Sequence, residues 1–326
     1  FIKTKFAKTV ASGTDALKLS LIAAGIGKND EVITPSFTFV ASAMTIAQLQ
    51  AKPVFVDIDP QTYNINTQEI EPAITKKTKA ILPVHLFGQT ANMTDILKIA
   101  KAYKLKVIED SAQAHGATLN GKPSGSFGDI AAFSFYPTKN LGSFSDAGIV
   151  TTNNSDYYRR VQKLADYGFQ SHYYSHEFGF NSRIDELQAV CLLSYLKLLN
   201  KWNRKRRQLA SRYFKLLKEL PIKLPETIKG AYHVYHIFPI QTSKRNQLQK
   251  YLASSGITTL VHYPYPIHVQ PAFKQFKTKN LPQSEKVANQ ILSLPIFPQL
   301  TFNQDDYVCK SISEFFKNDC RRLGKR

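Results

Sequence analysis

Leu105-Lys106-Val107-Ile108-Glu109-Asp110-Ser111-Ala112-Gln113-Ala114-His115 carries a short apolar run straight into a carboxylate. Outward from it, runs rich in Val, Ile and Phe at Glu31–Ile33, Lys52–Asp57, Thr78–Pro83, Leu105–Glu109, Ile130–Phe135 and Ile149–Thr152 read as strands. Amphipathic stretches at Asp15–Ala24, Ala41–Leu49, Thr67–Ile74 and Met93–Tyr103 read as helices between them. This alternation predicts an α/β fold, a mostly parallel sheet with helices on both faces. Ligands of such sheets sit beyond the carboxyl ends of the strands, where Asp110 falls. An Asp there also serves as an ordinary cap of the next turn.

A long helix is expected over Ile184–Leu220, ending at Pro221 and Pro225. Beyond it, His233–Ile240, Gln247–Ser255 and Thr258–Val261 read as strand, helix and strand of a smaller α+β unit. The expected domains are 1–222 and 223–326. With 326 residues, 43% hydrophobic and 21% charged, the composition excludes a disordered chain and a disulfide scaffold. No apolar stretch reaches the ~18 residues of a membrane span. Phe1–Val10 has no initiator Met and no signal-peptide core, so the chain is expected to begin inside a folded domain, with a segment upstream. Cys191, Cys309 and Cys320 show neither metal-ligand nor paired spacing, which fits a reducing, cytoplasmic setting and no metal.

The 43 Lys and Arg against 24 Asp and Glu give +19. Residues 1–196 hold 19 basic and 17 acidic side chains; residues 197–326 hold 24 and 7. The densest run, Lys201-Trp202-Asn203-Arg204-Lys205-Arg206-Arg207, interrupts an apolar helical pattern and reads as a solvated helix face. A polyanion surface is the competing reading, but no nucleic-acid-binding motif accompanies the run.

Two further stretches bear on chemistry. Ala11-Ser12-Gly13-Thr14-Asp15-Ala16-Leu17 opens a helix with small residues, and the free N–H groups of its first turn suit a phosphate. Thr14 or Asp15 as a plain N-cap is the alternative. Ala131-Ala132-Phe133-Ser134-Phe135-Tyr136-Pro137-Thr138-Lys139-Asn140-Leu141-Gly142 runs a strand into a lysine that burial would turn into an amine nucleophile. A phosphate cradle, an Asp and a Lys at the edge of one sheet are the three fixtures pyridoxal phosphate requires.

The chain resembles the sugar-nucleotide aminotransferases of the DegT/DnrJ/EryC1/StrS family, of the aspartate-aminotransferase-like fold type I. The resemblance rests on Ser12–Leu17, Pro35–Ala41, Val84–Gln89, Glu109–Gly116, Ser134–Gly142, Gly179–Ala189, Val261–Pro264, His268–Phe273 and Ser293–Pro298. It implies that Lys139 holds pyridoxal 5'-phosphate as a covalent aldimine and that Asp110 pairs with the ring nitrogen. Phe39 and Ala112 would flank the ring, Gln113 would reach its hydroxyl, and Gly13, Thr14 and Ser134 would bind the phosphate. Asn181 and Arg183 match a segment that reaches the neighbouring subunit's site, which implies a homodimer with composite sites.

The implied reaction moves an amino group from L-glutamate to a nucleotide-linked keto-sugar, in deoxyamino-sugar or glycan biosynthesis. His262-Tyr263-Pro264-Tyr265-Pro266-Ile267-His268 is more similar to members acting at C3 of dTDP-3-keto-6-deoxyhexoses, which makes His262, Tyr263 and His268 substrate-contact candidates. Action at C4, or an inactive relative whose basic C-terminal half binds a polyanion, are the alternatives. The family usually has Gly just before the Asp that follows the lysine loop; here the run is Ser143-Phe144-Ser145-Asp146, where Phe144 is expected to reshape the turn, and the N-terminal segment that precedes the cradle in relatives is expected to be largely absent.

Overall fold

The computed structural model describes residues 1–276 and 280–323, the side chains of 318–323 excepted. Seven strands form the main sheet: β1 (Phe6–Val10), β2 (Glu31–Pro35), β3 (Lys52–Val56), β4 (Thr78–Ile81), β5 (Lys106–Asp110), β6 (Ile130–Ser134) and β7 (Gly148–Thr152). Their spatial order is β1-β7-β6-β5-β4-β2-β3. Strands β2 to β6 pair in parallel, and β7 runs antiparallel between β6 and β1. Alternate residues face opposite sides. Val32, Ala80 and Ile108 enter one core with α1 (Gly13–Ala23), α2 (Ala41–Gln48) and α4 (Ser155–Ala165), while Ile33, Ile81 and Val107 enter another with α3 (Met93–Tyr103).

Helix α5 (Glu186–Leu217) has 32 residues and is capped by Asp185, which accepts from Leu187 N. At 1.5 Å per residue it spans about 48 Å. Its C-terminal turns place Leu209, Ala210, Tyr213 and Leu217 in a second core with β8 (Phe238–Gln241), α6 (Arg245–Ser254), β9 (Ile291–Leu294) and α8 (Phe302–Leu323). Helix α7 (Pro282–Gln290) precedes β9, and Asp57, just beyond β3, caps it by accepting from Gln283 N, Ser284 N and Ser284 Oγ.

Four expectations change. Of His233–Ile240, only Phe238–Ile240 is strand, within β8. Thr67–Ile74 is not an α-helix but two 3₁₀ turns, Thr67–Glu69 and Glu71–Ala73; Pro72 has no N–H and disfavours helical backbone at Glu71. Thr258–Val261 is not a strand: only the Leu260–Ser293 bridge forms, and the partner of β8 is β9. Phe6–Val10, read only as the opening of a folded domain, is an edge strand.

Candidate active site

The register of β1, β6 and β7 assembles the cradle. Gly148 pairs with both Val10 and Ser134, so the chain leaving β1 crosses directly over it. A Cβ at Gly148 would lie 2.3 Å from Ser12 O, and one at Gly13 would lie 2.5 Å from Ser134 Cβ. Ser12, not Thr14 or Asp15, is the N-cap of α1: its Oγ accepts from Asp15 N at 3.0 Å and its carbonyl from Ala16 N at 2.9 Å. The N–H groups of Gly13 and Thr14, which have no helical acceptor, are left for an anion, beside the exposed Thr14 side chain and Ser134.

Asp110 ends β5, one strand over from Ser134. Its Oδ2 accepts from Ser42 Oγ at 2.8 Å and its Oδ1 from Ala112 N at 3.1 Å. Burial drives its pKa up; Ser42, Ala112 N and the positive charge of Lys139 oppose that shift. Lys139 lies in the first turn after β6, its N–H donating to Tyr136 O. Burial drives its ammonium pKa down, against the pull of Asp110. In each case burial favours the neutral form, and the opposite charge of the other group works against it.

Around this pair the sequence-expected residues divide. Phe39 presents an exposed ring 6.1 Å from that of Tyr263. Ala112 is partly buried beside Asp110. Gln113 is buried, and its amide is engaged: Oε1 accepts from Phe87 N at 2.7 Å and Nε2 donates to Tyr263 OH at 2.9 Å. Burial raises the Tyr263 hydroxyl pKa. His262 Nδ1 meets Ser293 Oγ at 2.9 Å, and burial lowers its pKa, with Lys139 adding to the effect. His268 sits apart, with Nδ1 2.6 Å from Ser36 Oγ and Nε2 3.2 Å from Glu285 Oε1, so both ring nitrogens tie its loop to β2 and α7.

Asn181 and Arg183 are exposed and flank the buried Ser182, whose hydroxyl accepts from Ala11 N at 3.1 Å and donates to Asp15 Oδ2 at 2.7 Å. This segment is therefore tied to its own cradle while its neighbours face outward. Beside them stands an apolar face of Phe144, Phe178, Leu187, Val190 and Leu193, each more than 60% exposed.

Sequence reasoning missed Ser42, Ser182 and Glu109. The carboxylate of Glu109, fully buried, accepts from His85 Nε2 and from the N–H groups of Gly125, Phe127 and Gly128 at 2.7–2.8 Å. It fixes the far side of β5 while Asp110 faces the site. Its acidic character next to Asp110 was the available signal. Ser42 and Ser182 have no signal of that kind.

The basic run of α5 is also not a solvated face throughout. Arg206 is buried, donating from Nη1 to Ile296 O at 2.6 Å and more weakly to Tyr235 O and His236 O; burial lowers its pKa to about 10. Arg207 bonds to His233 O, and Lys205 lies 3.4 Å over the ring of Phe302. Among the described residues no His, Cys, Asp and Glu cluster could hold a metal ion, and no helix is long and apolar enough to cross a membrane. Cys191 and Cys309 are free and buried; the Cys320 side chain lies outside the described residues.

The profile of the DegT/DnrJ/EryC1/StrS aminotransferase family matches residues 1–313. The chain belongs to this family. A dTDP-3-amino-3,6-dideoxy-alpha-D-galactopyranose transaminase of Aneurinibacillus thermoaerophilus is 44% identical, covering 95% of this chain and 86% of the relative. A protein of Geobacillus stearothermophilus called a pleiotropic regulatory protein is 46% identical, covering 94% and 84%. The crystal structure of Streptomyces venezuelae DesV in complex with a ketimine intermediate superposes with a TM-score of 0.94 at 41% identity, over 96% of this chain and 85% of that one. The sheet and flanking helices described above are thus those of the family's aminotransferases.

Proposed function

We propose that the chain is a pyridoxal-phosphate-dependent aminotransferase that moves an amino group from L-glutamate to C3 of a dTDP-linked 3-keto-6-deoxyhexose. The observation that carries the cofactor reading is the convergence of a buried Asp110 and of Lys139, close enough for each to feel the other's charge, on a helix N-terminus where Gly13 leaves no room for a Cβ. These residues fit the cofactor: an anion cradle, a carboxylate for the ring nitrogen, an apolar ring at Phe39, and an amine. When bound, pyridoxal phosphate supplies the electron sink that lets an amino group pass between carbon skeletons.

The protein's own part follows from the geometry. Gly13, Thr14 and Ser134 hold the phosphate. Asp110, whose charged form Ser42 and Ala112 N favour, would hold a proton on the ring nitrogen. Gln113, aimed by Phe87 N, fixes the hydroxyl of Tyr263, whose ring stands beside that of Phe39. Lys139 would hold the cofactor through its amine and would move the proton at the substrate carbon; burial, which lowers its pKa, favours the free-base form that task needs. Asn181 and Arg183 face outward beside an exposed apolar surface, which supports a homodimer in which they complete the partner's site.

The C3 assignment rests on the 262–268 run and on the named activity of the Aneurinibacillus relative. Incubation with L-glutamate and synthetic 3-keto or 4-keto dTDP-sugars, with NMR of the amino-sugar, tests it; a product aminated at C4 overturns it. Lys139→Ala tests the lysine: after borohydride treatment the wild-type chain gains the cofactor's mass on Lys139, and the variant gains none. Labelling at another lysine refutes the assignment.

A further inference from the structure

Two backbone carbonyls decide the state of a histidine that the reaction scheme above leaves unused. Asn203, from the middle of the basic run of α5 and 1% exposed, donates from Nδ2 to His115 O at 2.8 Å. A carbonyl only accepts, so the amide is oriented and its Oδ1 faces Asn140, whose Nδ2 lies 2.9 Å away. Asn140 follows Lys139 and is 3% exposed. Its Nδ2 also donates to Val234 O at 3.1 Å, a second carbonyl that fixes the same orientation. Asn140 Oδ1 is therefore the atom 3.1 Å from His236 Nδ1, and an amide oxygen requires a hydrogen there.

Burial, with the positive charges of Lys139 and Arg206 and the rings of His115 and His262 around it, keeps this imidazole neutral. A neutral ring with hydrogen on Nδ1 has a bare lone pair on Nε2. Among the described residues no group bonds to Nε2, and His236 lines a cavity of about 380 Å³ together with Lys139, Asn140, Arg206 and Trp202. The relay thus joins the loop behind Asp110, through His115 O, to the loop of Lys139 and ends in an acceptor.

We propose that His236 is a substrate-binding residue: held as the Nδ1–H tautomer by Asn140 and Asn203, it accepts at Nε2 a hydrogen bond from a hydroxyl of the sugar substrate. The assignment rests on the aminotransferase reading. The hexose of the proposed substrate keeps hydroxyl donors at C2 and C4, whereas the carboxylates of L-glutamate offer none; the competing donor on the amino-donor side is glutamate's ammonium.

The two half-reactions, followed separately in the holoenzyme through cofactor absorbance, tell these donors apart. His236→Asn keeps an N–H toward Asn140 but removes the ε acceptor; His236→Gln places an amide near the ε position. The expected result is a fall of roughly ten- to hundredfold in the sugar half-reaction of His236→Asn, with the glutamate half-reaction and cofactor affinity within about twofold and partial recovery in His236→Gln. An unchanged sugar half-reaction, or a loss confined to the glutamate half, overturns the proposal. ¹⁵N-histidine NMR of the wild-type protein gives a readout independent of variant folding: an Nδ1–H pattern is expected, and an Nε2–H or doubly protonated ring refutes it. If the wild-type protein shows no glutamate half-reaction, the aminotransferase reading fails while the tautomer result stands.

Discussion

Replacing Ser42 with Ala removes one hydroxyl that opposes the burial-driven rise in the pKa of Asp110. The Ser42 Oγ lies 2.8 Å from Asp110 Oδ2 and 3.3 Å from Phe39 O, so its single hydrogen goes to the carboxylate. A hydrogen bond to a charged acceptor is worth about 1.5–3 kcal/mol, and one to a neutral acceptor about 0.5–1.5. Burial already raises the folded-state pKa of Asp110, so ionising it costs folding stability as pH rises through that value. Loss of Ser42 raises the pKa further, which makes the variant's deficit larger at high pH than at low pH. Unfolding of cofactor-free protein at pH 8 and at pH 5 measures this: a deficit of about 1.5–3 kcal/mol at pH 8 should be smaller at pH 5. In the holoenzyme the acid limb of kcat should move to higher pH, because a protonated Asp110 no longer holds the ring nitrogen's proton. Equal deficits at both pH values, with an unmoved acid limb, would refute the role given to Ser42.

Gly13→Ala forces a methyl to 2.5 Å from Ser134 Cβ; overpacking of about 1–3 kcal/mol and at least a roughly tenfold loss of cofactor affinity by absorbance titration are expected. Glu109→Gln turns an NH₂ toward two of the four donors that now meet the carboxylate, and thermal melts should show a loss of about 2–5 kcal/mol whichever way the amide points. Leu193→Lys places a charge on the exposed apolar face of α5; sedimentation should then report a monomer, and a dimer of unchanged stability would locate the interface elsewhere.

Much of the sheet was legible because its strands are short apolar runs between amphipathic helices, and Asp110 and Lys139 fall where two of them end. Thr67–Ile74 was misread because its apolar spacing is helical while Pro72 is not, and local geometry prevailed over periodicity. The edge strand β1, half-exposed, has the polar and apolar mixture of a loop and gains its shape only from pairing with β7. Ser42, Ser182 and Asn203 could not be read at all, since each acts through a partner 63 or more positions away. The basic run misled in the opposite direction: its charge pattern suggests solvent, yet Asn203 and Arg206 occur on the turn of the helix that faces the site.

Helix α5 does three jobs along one axis: Leu187, Val190 and Leu193 form an outer face, Asn203 and Arg206 hold the loops of Asn140 and Ile296, and Leu209, Tyr213 and Leu217 enter the small-unit core. Each residue advances such a helix by about 100°, so inserting or deleting one residue near Trp202 would swing every later side chain to a new bearing. Descendants of this sequence can therefore vary freely in which residues clothe the solvent side of α5, but hardly at all in how many residues separate Leu193 from Leu209.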